Sequence, residues 1–267
     1  MPPITLRADL RRFTAARVGL GRAGNGLPTA AHLDFQAAHA AARDAVHAAL
    51  DAPALQTALT DAGIASLAVR SVAPDRRTYL LRPDLGRRLR DTDRDRLPST
   101  PGALVFVICD GLSATAVQCH AVPLLSALQP EAPVIVAEQG RVALGDDIGQ
   151  AMGAEAVAVL IGERPGLSAA DSLGAYLTWQ PCPGRTDAER NCISNIRPGG
   201  LPIAAAADKL RWLIAAMRRL RLTGIGLKDE QSPGRSLGQS PGQSPGQSPG
   251  QSPGQLISGP AQGMLAL

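Results

Sequence analysis

The stretch "ALVFVICDGLSATAV", residues 103–117, decides the fold. Its first seven residues are apolar without interruption and rich in β-branched side chains. A run that short, ended by Asp110-Gly111, predicts a strand buried on both faces and a tight turn. Ser113 can then cap a helix. Strand, loop and helix follow again in "APVIVAEQGRVALGDDIGQAMGA" (132–154), and a third time in "EAVAVLIGERPGLSAADSLGAY" (155–176). Such runs predict an α/β fold of Rossmann or flavodoxin type, with a mainly parallel sheet flanked by helices.

Upstream, residues 1–28 read as irregular. Thr29 can cap the helix that follows in "AAHLDFQAAHAAARDAVHAALD", where Leu33, Ala37, Ala40, Ala41, Val46 and Leu50 keep helical spacing. His32, His39 and His47 on this helix lack the i, i+4 spacing of a metal pair and read as surface or half-buried residues. "IASLAVRSV" (64–72) predicts a strand, and "TYLLRPDLGRRL" a short helix broken by Pro83 and Gly86.

Downstream come a strand at "AYLTWQP", an ordered segment at "NCISNI", and an amphipathic helix from Ile203 to Leu222. Its apolar stripe is Leu210, Leu213, Met217 and Leu220. The tail holds five Gln-Ser-Pro-Gly copies, four in tandem, and such a segment cannot bury enough apolar area to order itself. The chain therefore divides into an irregular and helical region packing on the core (1–100), an α/β core (101–228) and a disordered tail (229–267).

The 267 residues suffice for a sizeable core, and 45% are hydrophobic although only 3% are aromatic. A net charge of +4 gives little field for nucleic acid. The densest basic region, residues 76–96, mixes eight Arg with four Asp, the pattern of a solvated or ion-paired face. Cys109, Cys119, Cys182 and Cys192 form no C-x-x-C pair. No apolar h-region opens the chain and no run suits a membrane span, so we expect an intracellular protein with reduced cysteines.

In an open parallel sheet, ligands bind beyond the carboxyl ends of the strands. Three such ends bear notable residues: Asp110-Gly111-Leu112-Ser113, Gln139-Gly140-Arg141-Val142, and Gly162-Glu163-Arg164-Pro165-Gly166. Each is also ordinary turn chemistry, in which Asp and Ser cap, Gly bends and Pro starts a helix. Phosphate loops need a lysine or a strand-borne G-x-G-x-x-G. The two lysines are Lys209 and Lys228, and the "GLGRAGNG" of residues 19–26 lacks a convincing leading strand. No G-x-S-x-G elbow occurs either. Glu163 among glycines suits a neutral ligand rich in amides or hydroxyls, approached closely by backbone.

The segments "ARVGLGRAG", "TYLLRPDLGRRL", "DGLSATAV", "GRVALGDDIG", "LIGERPGL" and "ERNCISNIRPGG" together resemble the small (light) subunit of ethanolamine ammonia-lyase, in that family's order and at close to its spacing, over roughly residues 7–228. The resemblance implies a carbon–nitrogen lyase that uses adenosylcobalamin to convert ethanolamine to acetaldehyde and ammonia by a radical mechanism. It implies a large-subunit partner, six copies of each chain, and cobalamin held between the two. Most catalytic groups would lie on the large subunit and none here.

Val142 in "GRVA", Glu163 in "GERPG" and Cys192 in "NCISN" match the family's cobalamin contacts. Glu163 would accept from corrin amides, while Val142 and Cys192 give apolar or weakly polar contact. A buried cysteine is more often just a small hydrophobe. The absence of D-x-H-x-x-G agrees with a base-on cofactor. Only about six residues precede the matching region, short of the leader some members use for packaging. The expected location is a bacterial microcompartment where one is made, and otherwise the cytosol. The competing reading is a free-standing α/β nucleotide-binding module or hydrolase using the same rim.

Overall fold

The computed structural model describes residues 10, 13, 14 and 16–228; the tail expected to be disordered, 229–267, lies outside them. The elements are α1 (Thr29–His47), α2 (Ala52–Asp61), β1 (Ser66–Arg70), α3 (Arg76–Leu81), α4 (Asp91–Arg94), β2 (Leu104–Cys109) and α5 (Ala114–Leu128). They continue as β3 (Val134–Glu138), α6 (Leu144–Met152), β4 (Ala156–Gly162), β5 (Leu173–Trp179), β6 (Arg190–Ile196) and α7 (Ile203–Leu220). One six-stranded sheet has the order β1-β3-β2-β4-β5-β6. The first four strands are mutually parallel, while β5 and β6 add as antiparallel strands.

Every residue of β2 is buried, because alternate side chains enter different layers. Leu104, Phe106 and Ile108 pack with α2, α5 and α7; Val105, Val107 and Cys109 pack with α6. The chain leaves β2 for β3 on one side and then crosses back past β2 to β4. Successive crossovers in opposite directions place α5 and α6 on opposite faces. Ser113 caps α5 as expected, its Oγ accepting from the Ala116 N–H at 3.2 Å.

Elsewhere the expectations need correction. Residues 155–176 do not form a third strand-loop-helix unit: after β4 the chain turns back directly into β5. Parallel return needs a crossover of a dozen or more residues, and residues 163–172 are too few and too polar to supply one. Instead the Glu163 N–H donates to the Ser172 carbonyl at 2.9 Å and closes a hairpin.

Thr29 does not cap α1. Pro28 occupies the cap position with extended ψ, so Thr29 is already helical. Of α1's residues only Ala45 is buried, and Leu33 is 56% exposed. Asp51, read as the end of this helix, begins a second one, since its carboxylate accepts from the Ala54 N–H at 3.0 Å and caps α2. Helix α7 buries Leu210, Leu213 and Met217, but Leu220 lies at its solvated end.

Two buried ion pairs tie loops to the sheet. Asp146, in the first turn of α6, receives both Nη groups of Arg190 at 2.7 and 2.6 Å. Arg190 also donates to Thr178 Oγ1 and the Arg185 carbonyl, so it staples β5, β6 and the intervening loop to α6. The second pair is Arg76 Nη1 on Asp110 Oδ2, at 2.9 Å. Burial pushes the Asp110 carboxyl up to about 6, opposed by Arg76 and by the Gly140 N–H.

Removing one partner of a buried pair strands the other charge. Arg190→Met alone should therefore cost about 3–5 kcal/mol in urea unfolding, and adding Asp146→Leu should recover most of it. Asp110 predicts a pH effect. Its folded pKa lies above the ordinary 3.8, so its contribution to stability is full below that value and is lost as pH rises through about 6. Relative to Asp110→Asn, the wild-type chain should lose about 2 kcal/mol between pH 4 and 7, read from unfolding curves at each pH.

Candidate functional site

The three glycine-bearing strand ends do converge. Gly111, after β2, has a left-handed φ of 54°, and the Leu112 N–H donates to the Gly162 carbonyl at 2.9 Å. A Cβ on Gly162 would lie 2.0 Å from the Ser113 carbonyl oxygen, so only glycine permits this backbone-to-backbone contact. At the end of β3, the Gly140 N–H donates to Asp110 Oδ1 at 2.9 Å, and the Gly140 carbonyl accepts from the Tyr79 hydroxyl at 2.9 Å. Asp110 therefore serves as a buried brace, where turn chemistry alone made it a cap. Pro165 begins no helix.

Above these ends, on the α6 face, opens a cavity of about 490 Å³ whose walls include Tyr79, Leu112, Val142, Ile161, Glu163 and Tyr176. Arg141 stacks on the Tyr79 ring, 4.2 Å from its centroid, and its main-chain N–H donates to the Gly86 carbonyl. The Arg141-Val142 turn is thus fastened before α6 starts, and Val142 stands half-buried in the cavity wall.

Glu163 is positioned as strictly. Its Oε2 accepts from the Ser172 hydroxyl and, at 3.0 Å, from the Asn195 main-chain N–H. Oε1 has no protein donor among the described residues. Gly174 leaves room for the side chain, since a Cβ there would sit 3.1 Å from Glu163 Cγ and Oε1. Asn195 is turned inward by a bulge, where β6 slips register against β5 and Asn195 adopts φ 58°.

Cys192 is not in the cavity wall itself. It lies across the β5–β6 ladder from Tyr176, which is. The residue is exposed, yet its surroundings desolvate the thiol and raise its pKa, with a hydrogen bond from Tyr176 opposing. Val142 and Glu163 thus share one cavity, and Cys192 stands at its border.

Ser172, Asn195, Tyr79 and Tyr176 escaped the sequence reading. Pairing β4 with β5 would have exposed Ser172, because it faces Glu163 across the hairpin mouth. Nothing local announces Asn195, whose role depends on a bulge. The arrangement offers a carboxylate with one oxygen satisfied and one available, beside an apolar wall. That chemistry holds a hydrogen-bond donor. Among the described residues no cluster of three His, Cys, Asp or Glu could bind a metal, and no helix is long and apolar enough to cross a membrane.

Comparison with known proteins places these features in a family. Residues 6–228 match the family model described as ethanolamine ammonia-lyase light chain (EutC). A protein of Azotobacter vinelandii named ethanolamine ammonia-lyase small subunit is 53% identical over 241 residues, covering 85% of this chain and 89% of that one. Proteins of the same name from Pseudomonas syringae pv. tomato and Bradyrhizobium diazoefficiens are 51% and 53% identical. Each aligns over 236 residues, which cover 83% and 84% of this chain and 82% and 90% of theirs. The rim, the braced Gly140 turn and the Glu163 hairpin all lie within the matched span, and the chain belongs to the ethanolamine ammonia-lyase light-chain family, a lyase subunit.

Proposed function

We propose that this chain helps an ethanolamine ammonia-lyase bind base-on adenosylcobalamin against a large subunit, in a complex of six copies of each that converts ethanolamine to acetaldehyde and ammonia. The reading rests chiefly on the free oxygen of Glu163. A corrin is edged with amide side chains, and an acceptor held by two protein donors is preorganised to take a third donor without moving. Residues 101–228 carry the proposed contacts.

Adenosylcobalamin supplies the radical that begins the reaction. The chain's own part is binding and orientation. Glu163 Oε1 accepts from a corrin amide, Val142 gives the macrocycle or its tail an apolar contact, and Cys192 packs at the cavity border as a weakly polar group. None of these residues transfers a proton in this reading. The order β3-β2-β4, with helices leaving to opposite faces, supports a flavodoxin-like switch point as the place where the cofactor lodges. The large subunit would cover the cavity and the exposed apolar residues of α1, Leu33 and Phe35.

Glu163→Ala tests the reading in the complex of both subunits. A hydrogen bond to a charged group is worth about 1.5–3 kcal/mol, so adenosylcobalamin should bind roughly tenfold or more weakly, with the subunits still associated. Affinity by equilibrium dialysis and assembly by gel filtration separate the two effects. Unchanged affinity would sink the proposed role of Glu163.

A further inference from the structure

Next to the cavity just described lies a second recess of about 660 Å³, and Arg141 and Val142 form a wall of both. Arg87, Arg88, Arg141, Arg185 and Arg190 all line it, against a single carboxylate, Asp187. Two of the five arginines are already neutralised. Arg190 is held by Asp146, and Arg185 by Glu189 at 2.5 Å. The other three have no carboxylate partner among the described residues. Among the described residues, Arg87 and Arg88 have exposed side chains with no acceptor, and Arg141 meets the Tyr79 ring and carbonyl while its buried Nε is unbonded.

Within the basic segment 76–96, Arg76, Arg82, Arg94 and Arg96 each meet an aspartate, and Arg90 donates to the Ser71 carbonyl, whereas Arg87 and Arg88 turn to the recess. The recess therefore keeps more positive than negative charge on its walls. The Val142 and Ala143 N–H groups, just before α6, also lack acceptors among the described residues and add donors on the same wall. Several guanidinium forks around a concave space suit an oxyanion with several acceptor oxygens, and phosphate above all.

We infer that this arginine recess binds a phosphate group, namely the phosphodiester in the nucleotide loop of the cofactor whose corrin lies over Val142 and Glu163. The inference rests on the cobalamin reading above and extends it. Cobalamin is amide-rich around its ring and carries one anionic group in its tail. The two adjoining cavities divide in the same way, an acceptor carboxylate in one and unpaired guanidinium groups in the other.

The test compares cobalamin with cobinamide, which lacks the nucleotide loop, on the assembled two-subunit complex. Arg87→Ala/Arg88→Ala removes two exposed side chains that bond to no other described residue, so folding should be unaffected. Cobalamin affinity should fall about tenfold or more in equilibrium dialysis at low salt, and cobinamide affinity by less than about twofold. Inorganic phosphate should compete with cobalamin on the wild-type complex and much less on the variant.

Equal loss for both corrinoids, or no loss for either, overturns the inference. So does phosphate binding that leaves cobalamin affinity untouched, which would mark a site for free phosphate. Dissociation of the subunits in the variant overturns it too, because the recess would then hold an acidic surface of the large subunit. If the wild-type complex binds neither corrinoid, the cofactor reading itself fails. If it binds both and the variant does not distinguish them, only the present inference fails.

Discussion

The Asp110 carboxylate is the constraint on which the rest of the site depends. It stands at the carboxyl end of β2, almost wholly buried, and each oxygen reaches a different segment. Oδ1 takes the Gly140 N–H at the end of β3, and Oδ2 takes Arg76 at the start of α3. Arg76 in turn donates through Nε to the Val46 carbonyl near the end of α1. One side chain thus joins the last turn of the long N-terminal helix to two central strands. Desolvation disfavours its charge, as the raised pKa records, and what offsets that cost is the convergence of donors. Gly140 is then held on both sides of its peptide, and the Arg141-Val142 wall is set before any ligand arrives.

Opposite this brace, the candidate ligand group is built differently. Glu163 is carried by a hairpin and steadied by a hydroxyl and a main-chain N–H, neither of them charged. Its partners orient the carboxylate while consuming only one oxygen. An arginine in their place would have taken both oxygens in a fork and left nothing for a ligand. The sheet's change from parallel to antiparallel at β4–β5 makes this possible. A crossover helix would have carried the chain away from the rim, whereas the hairpin returns it to Ser172, within reach of Glu163.

How much of this was legible in the sequence follows from where each interaction is encoded. The buried strands β2, β3 and β4 declare themselves through continuous apolar runs, and Ser113 through its place before a helix. The glycines of the rim were visible because close backbone approach demands them. The antiparallel return was hidden, since "ERPGLSAADS" reads equally as a helix start or a wide loop and only its length decides. Asp110 looked like turn chemistry because its partners lie 30 and 34 residues away in the chain. The exposure of Leu33 was equally hidden: an apolar stripe shows that a helix has a sticky face, not that this chain covers it.

The β6 bulge carries a consequence for the length of the chain. Ile193 and Ile196 both pack into the layer with α2, α5 and α7, yet side chains three residues apart in a strictly alternating strand would lie on opposite faces. The slipped residue reconciles them. Adding or deleting one residue between these two anchors would turn one of the isoleucines to the wrong side of the sheet. The residue count of this segment is fixed by its packing, so the spacing itself is part of the site.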